Sequence, residues 1–260
     1  MKGNIYLLIP NVLCYNIVMR YDVEKYNKIL KKYRITPTTL REDFLKIMQS
    51  KNLEGIFCDL SSQGVLKDIF PEFIPSIGLD QKNIHHAYTT DIHILKAVQY
   101  IANDKDIKQD KDILLWTMLL HDIGKPMALK KNLKRYNKYK FTKHEFYSAK
   151  LAKKVLKRFG LEKNKIKQIV ALVREHEFFR YIKLYNMSTT GNRLNTKHTF
   201  ALINKIGEHN FELLLACHRA DYAAQSDYWK EHKNTINARA TDMLEYYKKL
   251  KHANMNVNFK

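Results

Sequence analysis

Apolar residues in this chain recur at intervals of three and four, the spacing that places side chains along one face of an α-helix. The clearest stripe is formed by Phe146, Ala149, Ala152, Val155, Leu156 and Phe159. Thr142 and Glu145 have the spacing of a capping box at its start, and Gly160 stands where a C-terminal glycine belongs. Strand-like alternation is scarce, so the pattern predicts an all-α fold.

The same spacing predicts further helices on both sides of this one. They lie at 40–49, 92–102, 113–120 and 211–224, with another across 166–173 and a short one at 244–250. Breaks are predicted at 71–78, 104–112, 130–140 and 188–197. The first break separates an N-terminal helical region, 1–78, from a histidine-bearing domain, 79–228, and a C-terminal helix and tail occupy 229–260.

The most apolar of these helices, ILLWTMLL, is followed by the pair His121–Asp122. Burying an unpaired carboxylate is costly, so such a group is normally exposed, paired or bound to a metal. His176 continues the apolar stripe of its helix, three residues after Val173. Asp221 stands seven residues after Leu214, about two helical turns along one face. These polar residues are therefore predicted to face inward.

Taken singly, such a histidine is more often a satisfied core residue or a surface residue than a ligand. The full set is His93, His121, Asp122, His144, His176 and Asp221. Six such residues at the ends and faces of five helices indicate one common site, because packed helices can bring ligands to a single point. Imidazole nitrogens and carboxylate oxygens together favour a divalent transition metal: Mn, Fe, Ni, Co or Zn.

The ordered pattern H…HD…H…H…D resembles the HD superfamily of metal-dependent phosphohydrolases. The segments HHAYTTDIHILKAV, LLHDIGKP, FTKHEFYSAKLAKKVLKRF, IVALVREHE and LLLACHRAD resemble, in the same order, the HD region of bacterial CCA-adding tRNA nucleotidyltransferases. The resemblance covers roughly residues 34–226. It implies an HD-domain helical bundle with an N-terminal helical extension.

The nucleotidyltransferase domain of those enzymes carries a G-G-x-V-R-D stretch and a D-x-D pair. Neither occurs before residue 80 of this sequence, and 80 residues are too few for that domain. We therefore expect an HD phosphohydrolase without CCA addition.

The resemblance also implies roles for individual residues. His93, His121, Asp122 and Asp221 match a first metal site, and His144 and His176 match a second one that shares Asp122. Whether one ion or two is bound stays open at this point. Asp122 and Lys125 are the predicted catalytic residues, with Lys125 neutralising charge on phosphoryl oxygens. The alternative for Lys125 is a lysine that interacts with the C-terminus of a helix.

Between Asp122 and Glu145 the chain has no acidic residue. Cations crowd this stretch (Lys130, Lys131, Lys134, Arg135, Lys138, Lys140, Lys143), interleaved with Tyr136, Tyr139 and Phe141. Cations beside aromatic rings are typical of nucleic-acid binding, and a solvated basic loop is the alternative. The predicted substrate-binding residues are His86, Lys125, Lys130, Lys131 and Arg135.

Composition supports this interpretation without deciding it. Forty-six Lys and Arg against 26 Asp and Glu give a net charge of +20, which suits a polyanionic partner or reflects lysine-rich usage that aids solubility. Three widely spaced cysteines argue against a disulfide framework and favour a reducing cytoplasm. The N-terminal apolar stretch is interrupted by Pro10 and Asn11, and no apolar run reaches the ~20 residues of a membrane span. We therefore expect a cytoplasmic protein with no signal peptide and no stable membrane association.

The sequence thus predicts a metal-dependent phosphohydrolase that cleaves a phosphomonoester or a 2′,3′-cyclic phosphodiester of a nucleotide or an RNA end. The alternative is a non-catalytic RNA- or tRNA-binding module that retains an HD scaffold. That alternative predicts at least one lost ligand, and all six are present. A cyclic-dinucleotide phosphodiesterase would carry G-Y-P after the later histidines, where this chain reads HEFFRYIKLYN.

Overall fold

The computed structural model describes residues 36–82, 87–179, 196–225 and 230–252. These residues form α-helices and one short 3₁₀-helix, Ile74–Ser76, with no strand among them, so the all-α prediction is confirmed. The helices are α1 Pro37–Met48, α2 Leu53–Ser62, α3 Val65–Ile69, α4 Thr90–Asn103, α5 Lys111–Leu120, α6 Lys125–Tyr136, α7 His144–Arg158, α8 Lys163–Glu175, α9 Thr196–Ile206, α10 Glu208–Ala223 and α11 Lys230–His252.

Helix α5 is the central helix of the bundle. Every residue at 113–120 is buried, as expected for a helix that is apolar on all sides. It packs against α1, α4, α7, α8 and α10. The residues that follow its last turn, His121 and Asp122, are therefore delivered into the interior of the bundle.

The N-terminal extension shares an aromatic core with the bundle. The Phe44 ring of α1 stacks on Trp116 of α5, with centroids 6.2 Å apart and planes 8° apart. Phe44 also meets Phe159 edge to face at 4.8 Å. Arg158, buried at the end of α7, pairs with Glu72 through both carboxylate oxygens. These contacts fix α1 and the 3₁₀ region against α5 and α7, while the domain divisions at 78 and 228 stay predictions.

The capping-box prediction for α7 is wrong. The helix begins at His144, and the preceding residue, Lys143, lies in the left-handed region at φ +68° with no side-chain cap. The backbone N–H and the Nδ1–H of His144 both donate to the carbonyl of Phe141, at 2.9 and 3.0 Å. This turn therefore serves to orient His144 rather than to engage Thr142 as a cap.

The other end of α7 follows the prediction. Gly160 has φ +69°, which an L side chain rarely adopts, and its N–H donates to the carbonyl of Lys157. The N–H of Leu161 donates to the carbonyl of Leu156 at 3.0 Å, completing a Schellman motif.

The predicted break at 130–140 is wrong in its first half, because α6 continues to Tyr136. Ala128 and Leu129 are the buried apolar residues of this helix, so its apolar stripe is too narrow to stand out among the lysines. The helix ends where Asn137 adopts φ +50°. Helices α2 and α9 were not predicted, and α11 is much longer than the predicted 244–250.

Candidate metal centre

Four histidines in the bundle interior are oriented by the same kind of hydrogen bond. Each Nδ1 faces a backbone carbonyl: His93 that of Ala224 (3.1 Å), His121 that of Met118 (2.7 Å), His144 that of Phe141 (3.0 Å) and His176 that of Val173 (2.8 Å). A carbonyl can only accept, so each Nδ1 carries a proton and each Nε2 of a neutral ring carries a lone pair. Metal-binding histidines typically donate the N–H of the ring nitrogen that does not bind the metal to a carbonyl in this way, which fixes the orientation of the ring.

The Nε2 atoms converge with two carboxylates in two groups of three. His93, His121 and Asp221 form the first group, and Asp122, His144 and His176 form the second. Within each group the potential ligand atoms all lie within 4.8 Å of one another. All six side chains are buried, although they come from different helices and connections.

Asp122 lies between the two groups and turns one oxygen toward each. Its Oδ2 is 3.2 Å from Nε2 of His93 and 3.3 Å from Nε2 of His121. Its Oδ1 is 3.1 Å from Nε2 of His144 and 3.8 Å from Nε2 of His176. Asp221 also contacts His93, with Oδ1 3.0 Å from Nε2. A carboxylate with two divergent oxygens can bridge two cations.

The donor set fits a metal better than it fits a hydrogen-bond network. Nε2 of His93 faces Nε2 of His121 at 3.2 Å, and Nε2 of His144 faces Nε2 of His176 at the same distance. Two lone pairs at that separation repel unless a cation lies between them. Asp122 Oδ1 is buried, and no described residue is aligned to donate a hydrogen bond to it. Lone pairs without protons and an orphaned carboxylate oxygen are what a divalent ion would satisfy.

Both carboxylates are anionic at neutral pH. Burial alone would raise the pKa of Asp122, but the positive charge of Lys125 and the contact with His121 hold it well below its usual range. Burial likewise opposes ionisation of Asp221, and the hydrogen bond and charge of His93 lower its pKa in spite of this.

The surroundings shift the pKa values of His93 and His176 in opposite directions. Burial disfavours a charged His93, but the hydrogen bonds to Asp122 and Asp221 outweigh it and raise its pKa to about 9. Burial and the neighbouring His144 and His121 lower the pKa of His176 to about 4. The cluster without metal therefore holds a proton at His93 and keeps His176 neutral.

Lys125 is the first residue of α6 and is buried beside the cluster. Its Nζ lies 2.6 Å from Asp122 Oδ2 and donates to Oε1 of Gln81 at 2.7 Å. These partners are side-chain oxygens, so Lys125 does not serve as a helix C-terminal cation. Gln81 is in turn fixed by a hydrogen bond from its Nε2 to the carbonyl of Tyr88.

Three residues near the cluster were not predicted from the sequence. Glu177 Oε1 lies 3.6 Å from Nε2 of His144, and its position directly after His176 was the available signal. Gln81 had no sequence signal. Because Gly124 has no side chain, the start of α6 lies directly against α7, and the N–H of Gly124 donates to Ser148 Oγ at 2.9 Å. A Cβ at Gly124 would lie 2.5 Å from the carbonyl oxygen of His144.

The other predicted substrate-binding residues lie outside this cluster. Lys130, Lys131 and Arg135 are exposed on α6. His86 lies outside the described residues. Phe141 lies closer, with Lys125 Nζ 5.8 Å from its ring centroid.

A family model described as HD domain matches residues 90–247, more than half of the chain, and this range contains all six clustered residues. The chain belongs to the HD domain family. Membership together with the buried histidine–aspartate cluster indicates a metal-dependent phosphohydrolase. Across the described part of this HD protein, each helix is too short or too polar to span a bilayer.

Proposed function

We propose that this HD protein binds two divalent transition-metal ions and hydrolyses a phosphomonoester or a 2′,3′-cyclic phosphodiester of a nucleotide or an RNA end. The observation that carries the proposal is the convergence of four Nε2 lone pairs on the two oxygens of Asp122. Two groups of ligands that share one carboxylate support two ions rather than one.

The first ion would be held by His93, His121 and Asp221 together with Oδ2 of Asp122. The second would be held by His144 and His176 together with Oδ1 of Asp122. Divalent ions in these positions would polarise phosphoryl oxygens and lower the pKa of a water molecule at neutral pH. The candidates are Mn, Fe, Ni, Co and Zn, because nitrogen and oxygen donors of this kind suit all five.

The residues of the chain have separate tasks around these ions. Lys125 has three N–H donors, and among the described residues two face Asp122 Oδ2 and Gln81 Oε1. The third is available to a phosphoryl oxygen, where the ammonium charge would stabilise the negative charge that develops during displacement. Gln81 restricts the rotation of the lysine side chain, so the charge stays close to Asp122.

The substrate assignment rests on the surroundings of the cluster. Helix α6 begins at buried Lys125 and continues with exposed Lys130, Lys131 and Arg135. Positive charge at this place raises the local concentration of phosphate-bearing molecules. It supports a nucleotide or an RNA end over a neutral or cationic phosphoester.

The test combines metal content with hydrolysis. Protein purified without chelator is analysed for bound metals beside Asp122→Ala, and Asp112→Ala serves as the matched control because that aspartate pairs with Lys165 at the surface. We expect about two equivalents of metal in the wild type and the control, and loss in Asp122→Ala. The same proteins are assayed on nucleoside monophosphates and 2′,3′-cyclic nucleotides.

A metal-free wild type, even after incubation with each of the five ions, would contradict the proposal. It would leave a non-catalytic RNA-binding module on an HD scaffold as the better account. Metal binding without hydrolysis of either substrate class would contradict the substrate assignment alone.

A further inference from the structure

Two exposed aromatic rings stand on the helices that leave the metal centre. Tyr136, at the end of α6, is 54% exposed, and Phe146, in the first turn of α7, is 48% exposed. Each has a guanidinium group over its ring: Arg135 lies 5.2 Å from the Tyr136 centroid, and Arg174 lies 5.3 Å from the Phe146 centroid. Arg135 belongs to α6 and Arg174 to α8, so the pairing of a guanidinium group with an exposed ring occurs at two separate places in the fold.

A third ring lies beside Phe146. Tyr147 is half-buried, meets Phe146 edge to face at 5.5 Å, and has Lys131 Nζ 5.6 Å from its centroid. We call Tyr136, Phe146 and Tyr147, with their cations, the aromatic surface. A flat ring held open to solvent beside a guanidinium group is suited to stack on another flat, electron-rich ring.

The α6 side of this surface carries charge of one sign, whereas on the α7 side Glu145 Oε1 pairs with Arg174 Nη1 at 3.2 Å. No acidic residue occurs between Asp122 and Glu145, and besides Lys125 this stretch has seven cations: Lys130, Lys131, Lys134, Arg135, Lys138, Lys140 and Lys143. All seven are exposed, and none forms a salt bridge with a described residue. An unneutralised patch of this kind attracts polyphosphate chains and repels basic partners.

The aromatic surface is also next to the metal centre along the chain. Phe146 follows the candidate ligand His144 by two residues, and α6 starts at Lys125, which contacts Asp122. Successive residues turn about 100° around a helix, so exposed Phe146 and buried His144 point to roughly opposite sides of α7, with a rise of about 3 Å between them.

We propose that the aromatic surface binds single-stranded nucleic acid, with bases stacked on Tyr136 and Phe146 and phosphates on the α6 cations. By passing over the start of α7, such a strand would bring its terminal phosphate toward the metal centre, and this last step rests on the proposed function. Single strands are specified because duplex bases are already stacked and cannot offer their faces to a side chain. Binding itself does not require hydrolysis.

The experiment measures binding with an oligonucleotide that cannot be a substrate. A fluorescent 12-nucleotide strand with hydroxyl ends is titrated with purified protein, and its anisotropy is followed as single-stranded RNA, as single-stranded DNA, as duplex and as an abasic strand. We expect the RNA or DNA single strand to bind best, and the duplex and the abasic strand to bind at least about fivefold more weakly. The logarithm of affinity should fall with the logarithm of salt concentration with a slope between about −3 and −5, since each neutralised phosphate contributes roughly −0.7.

Variants separate stacking from charge. Phe146→Ala and Tyr136→Ala should each weaken binding at least about fivefold, while Phe146→Trp retains it. The matched control is Tyr246→Ala, which removes a ring that is 50% exposed on α11, a helix that packs on α9 and α10. Its affinity should equal that of the wild type.

Equal affinity for the normal and abasic strands, or unchanged affinity in both alanine variants, would overturn the proposal. So would the absence of binding in 50 mM salt. Light scattering is run on the same samples, and a dimer that Tyr136→Ala dissociates would assign this face to a second copy of the chain instead. If the strand binds as expected but the protein takes up no metal, the proposed function fails and the binding surface stands. If small nucleotides are hydrolysed but the strand does not bind, the binding surface is excluded and the proposed function stands.

Discussion

The Nε2 atoms of His93 and His121 lie 3.2 Å apart, and Asp122 Oδ2 lies 3.2 and 3.3 Å from them. Both rings already hold a proton on Nδ1, so this triangle of acceptors needs one more cation. In the absence of metal that cation is a proton, which is the physical meaning of the His93 pKa of about 9. Metal and proton thus compete for one nitrogen atom.

Metal binding should therefore release a proton at neutral pH. His93 is protonated at pH 7 in the metal-free protein, whereas His176, with a pKa of about 4, has none to lose. We expect at least about one proton per protein, and an apparent affinity that rises about tenfold for each pH unit from pH 7 toward 9 and falls as the pH is lowered. Calorimetric titration of the metal into chelator-stripped protein, in two buffers of different ionisation enthalpy, counts the protons. Heats that do not depend on the buffer would contradict this assignment.

Lys125→Met should separate catalysis from metal binding. Methionine preserves most of the buried volume but removes the charge that lies 2.6 Å from Asp122 Oδ2. We expect both metals to be retained, because a cation that competes for the same oxygen is gone. We also expect kcat on a small nucleotide to fall about 10²- to 10³-fold, because one charge donor to the phosphoryl oxygens is lost.

Lys165→Met is the matched control, since Lys165 pairs with Asp112 at the surface of α8. Activity of Lys125→Met within about threefold of the wild type would exclude the catalytic role. Loss of the metals together with activity would make Lys125 a structural residue.

The elements that could be predicted are those in which burial determines which residue types occur at each position. The run at 113–120 has no polar face, so it could be placed at the centre of a bundle, and polar residues on its inner continuation, His121 and Asp122, could be recognised as unusual. The same reasoning predicts His176 and Asp221, because each lies at helical spacing from inward-facing apolar residues of its own helix. The structure brings these residues together, while their role as ligands stays a proposal.

The unpredicted part depends on contacts between residues distant in sequence or on turns with unusual backbone angles. Gln81 reaches Lys125 across 44 positions, and no local pattern indicates that contact. The start of α7 looked like a capping box, but the left-handed Lys143 and the double hydrogen bond to Phe141 replace it. The sequence pattern predicts a loop over part of helix α6, because a surface helix with a narrow apolar stripe has little helical periodicity to detect.

Gly124→Ala should disturb the second group of ligands. The added Cβ would lie 2.3 Å from the backbone N of Ser148 and 2.5 Å from the carbonyl oxygen of His144, both of them backbone atoms of α7 that cannot swing away. We expect α7 to shift, the protein to lose about 1–3 kcal/mol of stability, and the metal content to drop toward one equivalent. Chemical unfolding and elemental analysis measure the two effects.

Gly55→Ala provides the comparison within the same protein. Its Cβ would meet the end of the Asn52 side chain, which can rotate, and Gly55 lies within helix α2. Alanine is favoured over glycine in a helix by roughly 0.5–1 kcal/mol, so this variant should be as stable as the wild type or more so, with full metal content. Equal behaviour of the two variants would show that the contact between α6 and α7 does not position His144.

Phe44→Ala tests whether the N-terminal extension is part of the folding unit. Phe44 is fully buried, stacks on Trp116 at 6.2 Å and meets Phe159 at 4.8 Å, so its removal opens a cavity between α1, α5 and α7. Loss of a buried phenylalanine costs about 3–5 kcal/mol, which for a chain of this size lowers Tm by roughly 10 °C. Tyr246→Ala, which removes an exposed ring, should change the free energy of unfolding by less than about 1 kcal/mol. A Phe44→Ala protein as stable as this control would show that the extension only rests against the HD bundle. A single cooperative transition at lower temperature would show that both share one core, and that the helix leading to His121 depends on residues outside the matched HD segment.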